Sequence, residues 1–267
     1  VSESHRRAIP SVGMAGVTLD GLPAGVLARR WCVPHCRLLS SVGSALDVVH
    51  ELGSARAPTG SVVVALEQTA GRGRDGRTWF SPPGGVWLAM LLRPSGGTAS
   101  GVLGAVSIRA GMITADVVDE LIRAPETRLK WPNDVLLRDR KIAGVLCEAR
   151  WHGDELQWLA AGIGVNVVNE FSPALRASAI ALGEVLPGAC LLDVLDRLVP
   201  PLARLGTSAN QLTERECAAF AARDWLRDRT LRRPVAGRAA GLRPDGALLV
   251  QGVEGLTAVW EGHVDPV

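Results

Sequence analysis

A glycine- and arginine-rich loop over residues 71–83 constrains the fold more than any other segment, because short apolar segments frame it. Residues 61–67 (SVVVALE) are β-branched and predict a buried strand, and Gly85–Leu92 predicts a second apolar strand. Residues 71–76 (GRGRDG) match the string of a dinucleotide-binding loop, but such a loop must open a helix within a βαβ unit. Here the segment FSPPGG follows at residues 80–85. A Rossmann domain is therefore not expected.

The composition of this loop predicts an anion-binding site. Its glycines allow positive φ angles and a close approach of the backbone to a ligand, while its arginines offer forked donors to phosphate or carboxylate. The alternating residues are Gly71, Arg72, Gly73, Arg74, Gly76 and Arg77. Two other interpretations stay open at this point, an RGG-like nucleic-acid segment and a charged surface loop.

A second candidate segment contains both lysines of the chain. Of the 29 basic residues only Lys130 and Lys141 are lysine, and they are the first and last residues of the sequence KWPNDVLLRDRK. Lysine is a compact point charge that a guanidinium does not always replace. We therefore expect both amines to serve one site, with Asn133 and Asp134 supplying hydrogen-bonding groups at the start of a strand. A third segment, residues 162–166 (GIGVN), is predicted to be a strand end without side-chain bulk, which would place the Asn166 amide against a ligand. By itself this pattern is weak evidence for a site, because glycine in strands often marks only close packing.

The remaining patterns predict an α/β domain with a small β-barrel after it. Helices are expected over Val102–Ile122, 191–205 and 214–222, and strands over 135–137, 142–148 and 158–165. Ser44 fits the capping position of a helix with an apolar stripe. From Trp225 onward, short strands with turns at residues 244–246 and 254–255 predict the barrel. The expected domains are an irregular leader (1–26), a catalytic domain (27–223) and a C-terminal domain (224–267).

Several function classes are disfavoured by composition. A net charge of +2 gives no sign of a bulk polyanion partner. The five cysteines predict reduced core thiols rather than disulfides, and the Cys32/Cys36 pair has no second ligand pair at zinc spacing, so no metal site is expected. The longest apolar run, near residues 86–92, is too short for a membrane span. The cytoplasm is the expected location.

Taken together, five motifs resemble those of biotin protein ligases, that is, biotin–[acetyl-CoA-carboxylase] ligases. They occur in that family's order within residues 36–265: GRGRDGRTW (71–79), SPPGG (81–85), KWPND (130–134), RKIAG (140–144) and GIGVN (162–166). The resemblance is to the short form of the family, so no N-terminal DNA-binding domain is expected.

The resemblance implies an α+β fold, a class II synthetase-like mixed β-sheet flanked by helices, with a small C-terminal SH3-like β-barrel. It implies a two-step reaction. Biotin and Mg-ATP give biotinyl-5′-AMP and pyrophosphate, and a lysine of a biotin carboxyl carrier domain of a biotin-dependent carboxylase then displaces AMP. Mg²⁺ would come with ATP, held largely by phosphates and water rather than by a protein cage.

Roles for individual residues also follow from the resemblance. The catalytic cations would be Arg72, Arg74 and Lys141. Biotin would be bound by Ser44, Gln68, Gly71, Arg72, Arg74, Lys141 and Gly144. ATP would be bound by Arg74, Arg77, Trp79, Lys130, Asn133, Asp134 and Asn166. The five histidines and Glu148 receive no role and are expected to be structural or exposed.

One position departs from the family pattern. The usual Ser-Thr-Asn of the biotin pocket is Ser44-Ala45-Leu46 here, so a hydroxyl and an amide are missing. A lipoate or octanoate ligase or transferase of the same fold would explain an altered pocket, and a non-catalytic binder is another reading. A repressor that responds to biotinyl-adenylate is a further alternative, which the unpatterned leader argues against, so no DNA partner is expected. Both monomers and homodimers are compatible with the resemblance.

Overall fold

The computed structural model describes residues 16–94, 102–205 and 210–267. The chain enters it through a short hairpin of β1 (Thr18–Leu19) and β2 (Leu22–Pro23), followed by helix α1 (Ala24–Arg30). The prediction of an irregular leader to residue 26 is therefore wrong from Thr18 onward, because Leu19 and Leu27 are buried and fix these short elements against the core. Residues 1–15 of that leader lie outside the described residues.

A seven-stranded mixed sheet forms the centre of the molecule. Its strands are β3 (Cys36–Leu39), β4 (Val62–Ala65), β5 (Gly85–Leu92), β6 (Thr127–Lys130), β7 (Asp134–Leu137), β8 (Arg140–His152) and β9 (Glu155–Asn166). Their order across the sheet is β3-β4-β5-β9-β8-β7-β6. Only β3 and β4 run parallel, and the other neighbours are antiparallel. Every residue of β5 is buried, as its continuous apolar run predicts for a central strand.

Helices cover both faces of this sheet. They are α2 (Ala45–Ser54), α3 (Val102–Ile122), α4 (Leu191–Ala203) and α5 (Glu214–Arg223). The buried residues of α3 and α4 share the larger core with one face of the sheet, and the stripe of α2 packs on the other face with Ala89 and Ala160. Because α2 covers only part of that second face, the remainder is free to form a cleft.

The C-terminal unit is a five-stranded antiparallel sheet. Its strands are β10 (Thr230–Arg233), β11 (Gly237–Leu242), β12 (Leu248–Gly252), β13 (Gly255–Val259) and β14 (Asp265–Pro266), in the order β13-β12-β11-β10-β14. The indole N–H of Trp131, a buried residue, donates to the carbonyl oxygen of Gly246 at 2.8 Å and joins this unit to the part of the chain that contains the seven-stranded sheet. The predicted fold class, a mixed sheet flanked by helices with a C-terminal β unit, is confirmed.

Most predicted boundaries agree with the structure to within a few residues. Gly85–Leu92 and Val102–Ile122 agree at both ends, whereas the strands at 142–148 and 158–165 extend into a longer hairpin of β8 and β9. Residues 61–67, 191–205 and 214–222 correspond to β4, α4 and α5 with shifted ends. The short edge strands β3 and β6 and helix α1 were not predicted.

All five cysteines lie in the described ranges and are free thiols, as expected, although Cys32 is exposed rather than in the core. Of the helices described, none combines the length and apolar character needed to cross a bilayer.

Candidate functional site

Three glycines make a cleft on the sheet face that α2 leaves uncovered. Gly144 on β8 and Gly164 on β9 are direct partners in the antiparallel register, and Gly162 lies two residues before Gly164 on the same face. A side chain at any of these positions would meet neighbours within 3.1 Å. The missing bulk therefore lets other groups lie directly on the sheet backbone.

The indole of Trp79 rests on this glycine floor. A Cβ atom added to Gly164 would lie 2.6 Å from Trp79 Nε1, and one added to Gly144 would lie 3.1 Å from Trp79 Cζ3. Within the described part of the chain, Trp79 Nε1 is buried and has no hydrogen-bond partner. An orphaned buried donor is costly unless something accepts from it. This N–H is thus a candidate donor to a ligand in the cleft.

Lys141 stands beside Trp79. Its Nζ lies 2.5 Å from Oδ1 of Asp134 and 4.7 Å from the centre of the Trp79 ring. The backbone of Lys141 is fixed as well, because its N–H donates to Ser178 and its carbonyl accepts from Ile180 and from the Asn166 amide. The ammonium is therefore held at a set position on the cleft wall.

The glycine- and arginine-rich loop forms the opposite side of the cleft, and hydrogen bonds within the loop fix its shape. The N–H of Trp79 donates to the Gly71 carbonyl at 2.8 Å, and that of Gly73 donates to the Arg77 carbonyl at 2.7 Å. A Cβ atom on Gly71 would lie 2.5 Å from the Trp79 carbonyl oxygen, so only glycine fits there. Arg74 has no carboxylate within ion-pair distance among the described residues, and Arg72 is bound by Glu148 and Asp47.

The N-terminus of α2 forms the far end of the cleft. The Ser44 hydroxyl oxygen accepts from the N–H of Leu46 at 3.3 Å, which confirms the predicted helix cap. Gln68 Oε1 accepts from the N–H of Ala45 at 2.8 Å, and its Nε2 donates to the Ser81 hydroxyl at 2.9 Å. The side chain of Leu46 contacts Gly162 and supplies an apolar wall. Both polar groups of Gln68 therefore serve the scaffold in this state.

Ten of the predicted site residues line this one cleft: Ser44, Gln68, Arg72, Arg74, Arg77, Trp79, Asn133, Asp134, Lys141 and Gly144. Lys130 and Asn166 line an adjoining hollow, which shares Trp79, Asp134 and Lys141 with the cleft. Gly71 is not among the residues that line either space, and its carbonyl oxygen accepts from the N–H of Trp79. The three predicted catalytic cations thus surround one space, while Asn133 uses its amide to donate to the Val145 carbonyl at 2.6 Å.

Lys130 is partly buried and lies in the adjoining hollow. Its Nζ lies 5.2 Å from the centre of the Trp225 ring, in the adjoining hollow. Burial lowers the pKa of Lys130, and the nearby carboxylate of Asp134 opposes that shift. An anion bound in this hollow would oppose the lowering of the pKa and would favour the charged form of Lys130.

The sequence assigned no site role to several residues that the structure brings to the cleft or to its arginines. Leu46 was noted as a departure from the family pattern and as part of a helix stripe, Gly162 and Gly164 received no individual role, and Glu148, which binds Arg72, was expected to be structural or exposed. Alternate glycines on one strand are a usable signal, because residues i and i+2 share a face. No local signal links Glu148 to Arg72, since they are 76 residues apart and meet only through the fold.

Residues 42–166 match the sequence profile of the biotin/lipoate A/B protein ligase family. Over 241 residues the chain is 31% identical to the "Bifunctional ligase/repressor BirA" of Bacillus subtilis (strain 168), a match that covers 84% of this chain and 71% of that protein. The chain belongs to the biotin protein ligase family.

Other biotin protein ligases agree with this assignment. A "Biotin--[acetyl-CoA-carboxylase] ligase" of Paracoccus denitrificans is 38% identical over 149 residues, covering 53% of this chain and 61% of that protein. The structure described as "Biotin protein ligase from Aquifex aeolicus in complex with biotin and ATP" superposes with a TM-score of 0.69 at 25% identity. That superposition covers 88% of this chain and 99% of the Aquifex chain.

Proposed function

We propose that this biotin protein ligase uses ATP to convert biotin into biotinyl-5′-AMP and then transfers the biotinyl group to a lysine of a biotin carboxyl carrier domain. The observation that carries the proposal is the single cleft that Arg72, Arg74 and Lys141 line together. Relatives named as biotin ligases, and a relative described in complex with biotin and ATP, support the choice of substrates.

The electrostatics of the cleft suit the first step. A carboxylate must attack the α-phosphate of ATP, so two anions have to approach each other, and fixed cations aimed at the developing charge lower that barrier. Lys141 would hold the biotin carboxylate beside Trp79. Arg74 and Arg77, which line the cleft from the loop, would bind the phosphates of ATP. Lys130 would bind the same phosphates from the adjoining hollow.

The same cations suit the second step. The uncharged ε-amine of the carrier lysine attacks the acyl carbon of the mixed anhydride. The bond from that carbon to the phosphate oxygen breaks, AMP leaves with the electron pair, and the amine loses one proton. Lys141 would stabilise the negative charge that develops on the carbonyl oxygen, as an oxyanion donor does.

Trp79 and Asn166 would border the nucleoside part. The indole N–H of Trp79 offers a donor, and the glycine floor of Gly144 and Gly164 lets that indole lie against the sheet. Biotin would then occupy the end of the cleft between Ser44, Leu46 and Gly162. Its ring would face an apolar wall and the Ser44 hydroxyl.

Magnesium would enter with the nucleotide. No group of three or more metal-binding side chains occurs among residues 16–94, 102–205 and 210–267. Asp134 is the acidic residue of the cleft, and it is paired with Lys141. This donor set fits an ion that phosphates and water hold for the most part. The ion would neutralise phosphate charge and leave carboxylate positioning to the lysine and arginines.

ATP-pyrophosphate exchange tests the activity. The protein is incubated with labelled pyrophosphate, ATP, Mg²⁺ and, in separate reactions, biotin, lipoate or octanoate. We expect exchange with biotin, a product with the mass of biotinyl-AMP, and a mass increase of a carrier domain that is lost when its acceptor lysine is replaced by arginine. Exchange with lipoate or octanoate but not biotin would contradict the proposal.

A cytoplasmic location follows as part of the proposal, since ATP and carboxylases are available there. The resemblance is compatible with a monomer or a homodimer, and the lack of a DNA partner stays a prediction. A gel shift and a sedimentation measurement on the full chain test them.

A further inference from the structure

The guanidinium of Arg72 is bound between two carboxylates on different elements. Its Nε donates to Glu148 Oε1 at 2.7 Å and its Nη2 donates to Glu148 Oε2 at 3.0 Å, so the ion pair with Glu148, a residue of β8, is bidentate. Nη2 also lies 2.8 Å from Oδ1 of Asp47 on α2. Bidentate charge-assisted bonds are among the stronger polar contacts and fix direction as well as distance. The first arginine of the loop is thus tied to the scaffold.

Glu148 is in turn held by a chain of hydrogen bonds. His50 Nε2 lies 2.8 Å from Glu148 Oε2, and the indole N–H of Trp158 donates to His50 Nδ1 at 3.1 Å. Because Nδ1 accepts, the ring proton is on Nε2 and points at Glu148. The Trp158 ring is itself fixed, since it lies 2.4 Å from the place of a Cβ atom on Gly53. Glu148 is therefore also held by a contact that does not involve Arg72.

The charges of this cluster are unfavourable for binding another anion. Asp47 and Glu148 carry two negative charges against the one positive charge of Arg72, and His50 in the tautomer above is neutral. Hydrogen bonding from Arg72 lowers the pKa of Glu148, against the effect of burial, so its carboxylate is ionised at neutral pH. Arg74, two residues later, lines the same cleft without a carboxylate partner among the described residues.

We propose that Arg72 is a positioning residue, which Glu148 and Asp47 hold so that the backbone at Arg72 and Gly73 forms a fixed wall of the biotin end of the cleft. This inference rests on the proposed function, and it assigns Arg72 a different role from the anion contact expected from the sequence. The substrate anions are left to Arg74 and Lys141. We call the contacts of Arg72 with Glu148 and Asp47 the tether. Through Asp47 it joins the start of the loop to α2, the helix whose N-terminus forms the other wall of the cleft.

Kinetics of the pyrophosphate-exchange reaction test the proposal, with variants Glu148→Gln, Arg72→Gln and the double variant. We expect each single variant to raise KM for biotin about tenfold while kcat changes by less than about twofold, because ground-state positioning is lost and transition-state charge stabilisation is kept. The double variant should be no worse than either single variant, since both remove one interaction. Asp47→Asn, at a more exposed carboxylate, should raise KM by about threefold.

The alternative, in which Arg72 binds a substrate anion, predicts different changes in KM and kcat. In that case Glu148→Gln would free the guanidinium of Arg72 and would leave KM for biotin unchanged or lower it. Arg72→Gln would then lower kcat by about a hundredfold, the scale of losing one charge donor. Either result, or independent effects that multiply in the double variant, overturns the proposal.

Controls separate this inference from folding and from the proposed function. Asp196→Asn breaks a comparable cluster outside the cleft, where Asp196 accepts from both Arg30 Nε, at 2.6 Å, and the Trp31 indole, at 2.8 Å. It should leave KM and kcat unchanged. Thermal melting checks each variant, and Asp47→Asn, at a side chain 59% exposed, remains usable if Glu148→Gln fails to fold. A wild-type protein that shows no biotin-dependent exchange contradicts the proposed function, whereas an active one without the KM shift contradicts only the tether.

Discussion

The Nζ atom of Lys141 lies 2.5 Å from Oδ1 of Asp134, on the neighbouring strand of the central sheet. The pair is partly exposed to the cleft, with 31% and 23% of the two side chains accessible. Asp134 thus keeps the ammonium in place before any substrate arrives. An incoming carboxylate would meet a cation that has already lost much of its conformational freedom.

We therefore expect Lys141→Met to lower kcat for biotin-dependent pyrophosphate exchange by about 10²–10³-fold, the scale of removing a preorganised charge donor. Lys141→Arg should not restore the rate, because a Cβ atom on Gly144 would lie 3.2 Å from Lys141 Cε and the space beside the stem is narrow. Arg138→Met removes a cation from the nearby exposed turn and serves as the control. An active Lys141→Met protein would exclude the proposed role.

Gly164→Ala should impair nucleotide binding. The new methyl would lie 2.6 Å from Trp79 Nε1, so the indole would have to leave the glycine floor. Overpacking of this kind costs about 1–3 kcal/mol, which corresponds to a rise of about 5–150-fold in KM for ATP. Gly25→Ala in α1, where nothing lies within 4 Å, is the matched control. Unchanged KM values for ATP in Gly164→Ala would show that Trp79 does not border the nucleotide.

Leu46→Asn should strengthen biotin binding and weaken the fold. Leu46 lines the cleft beside Ser44 and is 5% exposed, so an amide there would offer the ligand a donor. A new hydrogen bond contributes about 1 kcal/mol, which lowers KM for biotin about fivefold. The lost apolar packing should lower the unfolding free energy by about 1–3 kcal/mol in urea titrations. Leu46→Met, of similar volume, should change neither quantity much, and a higher KM in Leu46→Asn would refute the placement of the biotin ring.

The stability of the chain should depend on Glu216 at neutral pH and not at strongly acidic pH. Hydrogen bonding from Arg109, with further bonds from Thr213, lowers the pKa of Glu216 from 4.5 to about 2, against burial. A carboxyl group with a lowered folded-state pKa stabilises the protein fully above its unfolded pKa, and this contribution is lost as pH falls from 4.5 toward 2.

Glu216→Gln should thus lower the unfolding free energy by about 1–3 kcal/mol near pH 7. The difference from the wild type should shrink on acidification to about pH 2. Urea unfolding at a series of pH values measures both. A difference that is independent of pH would show that the carboxylate charge contributes nothing.

Long, uniform patterns predicted their elements well. Gly85–Leu92 is apolar throughout and Val102–Ile122 keeps helical spacing over many turns, so both boundaries agree with the structure. The short edge strands Cys36–Leu39 and Thr127–Lys130 were missed, because each mixes apolar with polar or charged residues over only four positions and gains its conformation from a neighbouring strand. Helix Ala24–Arg30 is likewise short and depends on the burial of Leu27.

The same distinction applies to the site. The glycine–arginine loop and the two lysines could be recognised from residue types alone, because backbone freedom and a compact charge are local properties. Sequence alone therefore determined the kind of chemistry and the segments that carry it. Tertiary structure decided that Gly144 faces Gly164, that Trp79 covers both, and that Glu148 holds Arg72. These contacts depend on strand register and on residues far apart in the chain, whose distances no local pattern encodes.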